Sequence, residues 1–277
     1  MINQIYIDDI IKRAICEDIN YVDITTDYLI PEDEKNTANF IAKDSGVLCG
    51  IDIALRVFEH FDSQIETVKM KNDGDLVKKG DILATVEGNT RAILKGERIA
   101  LNLLQHLSGI ASAAHKASEI VKGTSAKIAD TRKTIPGLRA LQKYAVTVGG
   151  GKNHRFNLSD GAMLKDNHID ASGGIINAVF ALREKIGHMV NIEVEVRNLS
   201  ELEEALSANC DIIMLDNMSN EEMAEAVLIT NGRALLEASG GITLENLRSV
   251  AETGVDIISI GALTHSVKAF DISLKII

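Results

Sequence analysis

The 277-residue sequence has no Cys-x-x-Cys pair, no His-Glu-x-x-His and no other regular metal-ligand spacing. Nor does it contain a run of the roughly 18 apolar residues that a membrane-spanning helix needs. Its three cysteines, Cys16, Cys49 and Cys210, are odd in number and far apart. That excludes a disulfide framework and a zinc ribbon and leaves buried free thiols as the expectation. Positive charge is scarce: 29 Lys and Arg stand against 40 Asp and Glu, for a net charge of −11. A nucleic-acid or anionic-membrane partner would call for a dominant basic face, so neither is expected. The opening MINQIYIDDIIKRAICEDI has no basic stretch leading into an apolar one and no small-residue cleavage site, the pattern expected of a cytoplasmic chain. With 45% apolar and 25% charged residues, the composition suits one large α/β domain, or a barrel plus a smaller domain, around a well-buried core.

Against this acidic background one segment reverses sign. Between Asp130 and His168 lie seven basic residues (Arg132, Lys133, Arg139, Lys143, Lys152, Arg155 and Lys165) against three Asp. A local island in an acidic chain points to a small anionic ligand.

The hydrophobic pattern divides the chain. Ile7, Ile10, Ile11, Ala14 and Ile15 form one helical stripe, with Asp8 and Asp9 expected in its first turn. From Phe40 to about Gly88, short β-like runs alternate with turn signals, which predicts a partly β unit. GERIALNLLQHLSGIASAAHKASEIV then predicts one long helix. Beyond residue 125 the runs KIAD, GAMLK, IEVEV, DIIMLD, ALLEA and VDIISIG each precede a helical segment. Ser200 and Ser219 are expected to open capping boxes, Thr243 to be an N-cap and Gly254 to follow a helix end. Repeated βα units imply parallel strands with right-handed crossovers, in a barrel or an open sheet.

In either architecture the site lies at the carboxyl ends of the strands. Here those ends carry Asp130-Thr-Arg132-Lys133, Lys165, Glu195, Asp216, Glu237 with Ser239-Gly-Gly241, and Ser259 before Gly261. ASGGI occurs twice, and only the copy at 238–242 leaves a clear strand and enters a helix, the geometry that suits a phosphate. Glu195 and Asp216 could hold a divalent cation or sugar hydroxyls, or form a structural ion pair with Lys165 or Arg132. An Arg beside His154 favours a neutral imidazole, suited to hydrogen bonding with a carboxylate-bearing ligand.

GERIALNLLQHLSG, ADTRKTIPGLRALQKYAV, GGGKNHRFNLSDGAMLKDNHI, IEVEV, IIMLDN, EASGGITLENL and IISIGALTHS together resemble the quinolinate phosphoribosyltransferase family nearly end to end. The resemblance implies an N-terminal α/β sandwich domain (1–110, with the tail 267–277 packing back on it) and a C-terminal six-stranded incomplete α/β barrel (111–266). It implies a homodimer or higher oligomer, magnesium, and conversion of quinolinate and phosphoribosyl pyrophosphate to nicotinate mononucleotide, carbon dioxide and pyrophosphate. Arg132, with Thr131 beside it, and His154, Arg155 and Lys165 would hold the two quinolinate carboxylates. Lys133 would reach the pyrophosphate, and Arg98 would enter the neighbouring subunit's site. Glu195 and Asp216 would bind magnesium and the ribose and face the positive charge that develops on it. Ser239, Gly240 and Gly241, with Ser259 and Gly261, would cradle the 5′-phosphate. One departure is Val22, where relatives usually carry glycine before Asp-Ile-Thr.

Two other readings compete. A related type II phosphoribosyltransferase would use nicotinate or another ring acid. A carrier module is the second, because DGDLVKKGDILATVEG resembles the turns of biotinyl and lipoyl modules. There the acceptor lysine follows these turns, whereas Lys69 and Lys71 precede them, so the pattern reads as a shared β-turn.

Overall fold

The structure, a computed structural model, describes residues 2–277. In chain order the first elements are α1 (Gln4–Asp18), α2 (Ile24–Leu29), β1 (Lys35–Ala42), β2 (Gly46–Val47), α3 (Ile51–Glu59), β3 (Glu66–Lys69), β4 (Leu76–Val77) and β5 (Ile82–Asn89). The long helix α4 (Thr90–Ile120) follows, then β6 (Lys127–Ala129), α5 (Arg139–Val148), β7 (Ala162–Leu164), α6 (Asp166–Ser172) and α7 (Ile175–Arg183). The remainder is β8 (Ile192–Val196), α8 (Leu199–Ser207), β9 (Ile212–Asp216), α9 (Asn220–Thr230), β10 (Leu235–Ser239), α10 (Leu247–Glu252), β11 (Ile257–Ser259), α11 (Ala262–His265) and β12 (Ile272–Ile276). The chain forms two compact units: residues 2–115, 135–150 and 264–277, and residues 116–134 and 151–263. The expected boundary at 110/111 takes no account of α5, which groups with the first unit because its apolar face is laid down on α4: Gly149 approaches Ala111 so closely that a Cβ would lie 2.3 Å from its carbonyl oxygen.

The first unit is built on a sheet of order β12-β1-β5-β3, in which β1 pairs antiparallel with both β5 and β12. Alternation in β1 buries Ala38, Phe40 and Ala42 on one face, and Phe40 meets Phe58 of α3 edge to face at 6.0 Å. The pairing of Ala38 with Ile276 brings the C-terminal tail back to this sheet. In α1 only Ile10 and Ile11 of the apolar stripe are buried, and Asn3 is the N-cap. Asp8 and Asp9 therefore lie past the first turn, and Asp8 serves instead as the acceptor for Arg56. Val22 precedes Asp23, whose carboxylate accepts the Thr26 N–H at 3.0 Å and caps α2, so the turn needs no glycine. Gly74 and Gly80 take left-handed φ values at the turns around β4, which accounts for the carrier-like pattern. Cys49 and Cys210 are buried, but Cys16, expected to be buried too, is exposed on α1.

The second unit holds a six-stranded sheet, order β6-β11-β10-β9-β8-β7, with every neighbouring pair parallel. β6 and β7 do not pair, so the barrel is incomplete. The strand beside β6 is replaced by a single bridge from Ala129 to Lys152. Helix starts differ from two expectations. Asn198 rather than Ser200 caps α8, because its side chain reaches the Glu201 N–H, and Asn246 rather than Thr243 precedes α10. Ser219 and Glu222 do form a capping box on α9, and Gly254, at φ +98°, follows the end of α10. No helix among the described residues is long and apolar enough to cross a membrane.

Candidate active site

Strand periodicity builds the site. Side chains two apart in a strand face the same way, so Glu193 and Glu195 of β8, Ile212, Met214 and Asp216 of β9, Glu237 and Ser239 of β10, and Ile257 and Ser259 of β11 share the inner face of the barrel. At the carboxyl ends Glu195, Met214, Asp216, Glu237, Ser239 and Ser259 border a cavity of about 490 Å³. Around it stand Thr131, Arg132, Lys133, His154, Arg155 and Lys165, together with Glu195, Asp216, Ser239 and Ser259. Ten of the expected site residues thus meet in one space. Gly240 and Gly241 continue directly from Ser239, and Gly261 lies just past β11. Arg98 belongs to the first unit, on α4. Of the basic island, Arg139 and Lys143 lie on α5 in the first unit, whereas the other five cations belong to the second.

Local hydrogen bonds set the cations in place. The Thr131 hydroxyl accepts the Lys133 N–H at 3.0 Å and folds the loop after β6 into a tight turn that presents Arg132 and Lys133. Arg155 donates Nη1 to the Gly161 carbonyl at 2.9 Å, which fixes its guanidinium. Burial and then the Arg132 charge push Arg155 below the usual guanidinium range. Two guanidiniums that repel each other in a partly dry cavity form a site that an anion relieves. Lys165 Nζ lies 2.6 Å from Glu195, and the Lys165 N–H donates to His168 Nδ1 at 3.1 Å, which steadies the strand-to-helix turn. The structural ion pair and the ligand-facing position therefore coexist.

The phosphate-side turn departs from expectation in one respect. Gly240 and Gly241 have φ of +91° and +60°, but α10 begins only at Leu247, so no helix N-terminus faces this turn. Successive left-handed residues instead turn their own backbone N–H groups into a concavity. A Cβ on Gly240 would lie 2.2 Å from Asn217 Oδ1, and Asn217, itself at φ +55°, donates Nδ2 to Asp216 at 2.9 Å. Ser259 is buried and faces Glu237.

Beneath the cavity lies a polar layer in which Glu193 joins the expected Asp130, His154 and Glu237. Asp130, fully buried, accepts the His154 N–H at 2.9 Å. His154 Nδ1 accepts the Arg155 N–H at 2.8 Å, and its Nε2 lies 3.0 Å from Glu193 and 3.6 Å from Glu237. Both imidazole nitrogens thus have contacts within the protein, and His154 also borders the substrate cavity. His154, Glu193 and Glu237 place ligand atoms within 4.8 Å of one another. Burial, then the Glu193 charge, push Glu237 up to about 7. Glu193 was legible in IEVEV, because an acid two residues before Glu195 must share its inward face.

Below this layer a second cavity of about 400 Å³ opens at the amino ends of the strands, bordered by Lys127, Lys152, Asp160, Asn191, Ile212 and Ile257. His154, Arg155 and Glu237 border both cavities.

A parallel βα barrel, open between its first and second strands, with cations and paired acids at the strand ends, defines a phosphate-handling α/β enzyme class. Residues 23–108 match the family described as quinolinate phosphoribosyl transferase, N-terminal domain, and residues 110–275 match its C-terminal domain. The probable nicotinate-nucleotide pyrophosphorylase (carboxylating) of Bacillus subtilis is 43% identical over 99% of this chain and 94% of its own length. The protein of that name from Methanocaldococcus jannaschii is 45% identical over 97% and 96%. The NadC structure from Streptococcus pyogenes superposes with a TM-score of 0.96 at 41% identity, covering 100% of this chain and 99% of that one. The chain belongs to the quinolinate phosphoribosyltransferase family.

Proposed function

We propose that this chain, as a cytoplasmic homodimer with magnesium, transfers the phosphoribosyl group of phosphoribosyl pyrophosphate to the ring nitrogen of quinolinate and releases carbon dioxide. The product is nicotinate mononucleotide, a precursor of NAD. The observation that carries this reading is the convergence of Arg132, Arg155 and Lys165 with Glu195 and Asp216 on one cavity. A dicarboxylate meeting a sugar pyrophosphate brings several negative charges together, and the cations bind them and stabilise the leaving pyrophosphate.

Arg132 and Arg155 receive the ring carboxylates, and Lys165 exchanges its contact with Glu195 for the same ligand. Lys133, on the same turn as Arg132, faces the pyrophosphate. The ring nitrogen bonds to the ribose carbon as the bond to pyrophosphate breaks. Glu195 and Asp216 meet the positive charge that develops on the sugar and its hydroxyls. The ribosylated nitrogen is then a cation, and its charge stabilises the electron pair left at C2 when the adjacent carboxylate departs, so the protein's task is largely orientation and charge. Ser239, Gly240, Gly241, Ser259 and Gly261 hold the 5′-phosphate, a role supported by the left-handed glycine turn at Gly240 and Gly241. Glu195 and Asp216 offer the hard oxygen donors that suit magnesium, and both border the substrate cavity. When bound, that ion supplies charge to the pyrophosphate.

For the homodimer, support comes from the first unit, where Ile5, Tyr21, Ile24, Tyr28 and Leu29, on and between α1 and α2, are each at least 68% exposed. Arg98 is proposed to act in the partner's site. A coupled assay of pyrophosphate and carbon dioxide tests the reaction: both are expected in equal amounts from quinolinate. Turnover of nicotinate in place of quinolinate, with no carbon dioxide, overturns it.

A further inference from the structure

The quinolinate reaction, on which the role inferred for Glu237 rests, has one requirement that the cation-lined rim does not meet. When the C2 carboxylate leaves as carbon dioxide, the electron pair of the broken bond stays at C2, and a proton must add there to complete the nicotinate ring. Guanidinium groups do not release protons in proteins. The Lys165 ammonium is held against Glu195 and then against the substrate. His154 Nε2 is directed at Glu193. Glu195 and Asp216 sit on the sugar side of the cavity.

Glu237 differs from all of these. It is 2% exposed, it borders the substrate cavity from below, and it borders the amino-end cavity as well. Its Oε1, 3.6 Å from His154 Nε2, makes no hydrogen bond. The groups that face it come from four parts of the barrel: Glu193 on β8, His154 in the loop before β7, Ser259 on β11 and Asp130 after β6. Two of its carboxylate neighbours repel a charge on it and no guanidinium compensates. A carboxyl so placed holds its proton to higher pH than an ordinary carboxyl does and can give it to a stronger base.

We propose that Glu237 is the acid that protonates C2 after decarboxylation, and that the amino-end cavity is the path by which solvent restores its proton. The step balances: the Glu237 O–H bond breaks, the C2–H bond forms, the electron pair left by carbon dioxide becomes that bond, and the carboxylate takes a new proton from water. Glu237 borders both spaces, so delivery and resupply use opposite sides of one side chain.

Rapid-quench single turnovers of the full-length enzyme with quinolinate, phosphoribosyl pyrophosphate and magnesium test this by following pyrophosphate and nicotinate mononucleotide separately. Glu237→Gln is expected to slow nicotinate mononucleotide formation at least tenfold more than pyrophosphate release, and Glu237→Asp to recover part of the difference. Equal slowing of both steps, or slowing of neither, overturns the assignment, since a group that merely props His154 would act on both. Should the Gln variant fail to fold, the wild-type enzyme decides. Its product-forming step is expected to decline as pH rises past neutrality, and Glu193→Gln, which removes a like charge, to move that decline to lower pH. A product-forming step that is flat across this range overturns the proposal. If the wild-type enzyme releases no pyrophosphate from these substrates, the quinolinate reading itself fails, which is a different result from a lost second step.

Discussion

Two clusters in this chain combine a histidine with carboxylates, and they are tuned in opposite directions. In the first unit Asp8 accepts from Arg56 Nε at 2.6 Å and Nη2 at 2.9 Å and lies 3.2 Å from His60 Nε2. The Arg56 hydrogen bonds hold its carboxyl down at about 2. In the second unit Glu237 faces Glu193, Asp130 and the His154 imidazole, and burial drives it up. What separates the two is a guanidinium. A cluster that ties a helix to its neighbour is completed by its fold, and Asp8 has every partner it can use. The Glu193 and Glu237 layer is left incomplete although Arg155 borders the same cavities, its guanidinium directed instead to Gly161. Incompleteness in a buried layer costs stability and persists where chemistry uses it.

The largest effect that would test this contrast is on the rim. Lys165→Ala is expected to lower kcat/KM for quinolinate by about a hundredfold or more, the scale of losing one charged group in a pre-organised site. Its side chain is 48% exposed, so the melting temperature is expected to change little. Near-normal kinetics would remove Lys165 from the site. Mixing this variant with Arg98→Ala is expected to restore part of the activity, and no recovery despite subunit exchange counts against a shared site. Next in size is Gly240→Ala. Its φ of +91° and the 2.2 Å approach to Asn217 Oδ1 force the turn or Asn217 to move, and Asn217 holds Asp216. The expected result is a KM for phosphoribosyl pyrophosphate raised about tenfold, with a strain of ~1–3 kcal/mol on the fold. Separate KM values for the two substrates check it: a larger effect on quinolinate would place the turn elsewhere.

These residues were legible to different degrees for identifiable reasons. The six strands were readable because each apolar run is short and ends in a polar residue, and because the spacing leaves room for one helix between strands. Arg132, Arg155, Lys165, Glu195 and Asp216 were readable because they stand at or beside those ends. The cap at Asn198 was hidden because Ser200 offers the same local pattern two residues later, and only the chain direction leaving β8 decides between them. The family matches divide the chain at the expected boundary, but nothing local records that Gly149 meets Ala111 and that α5 groups with the first compact unit. The buried layer was half visible. Glu193 follows from the two-residue period, but that Glu237 and His154 converge on it depends on the closure of β8, β9 and β10 around a common interior. The setting of the glycine turn is hidden for a related reason: sequence shows that Gly240 and Gly241 can turn, not that α10 begins only at Leu247.

Smaller effects distinguish the clusters by pH. A carboxylate held below its ordinary range stabilises the fold above that range, and the contribution disappears as pH falls through the lowered value. Asp8→Asn is therefore expected to melt a few degrees lower than wild type at neutral pH, with the gap closing as pH falls toward 2. A gap independent of pH would mean that Asp8 acts through packing alone.

The smallest expected change has the reverse sign. Glu237 keeps its proton in the folded state at pH values where the unfolded chain has lost it, so its contribution is fully present below the ordinary carboxylate range and diminishes as pH rises to about 7. Gln carries no such proton and has nearly the same shape. Glu237→Gln is accordingly expected to gain on wild type in melting temperature between pH 5 and about 7, and then to hold a constant margin once both states of wild type are ionised. Thermal unfolding of the two proteins in parallel across this range measures the margin. If it is already constant at pH 5, Glu237 is ionised in the folded barrel, and the contrast with Asp8 reduces to one of partners without a difference in charge.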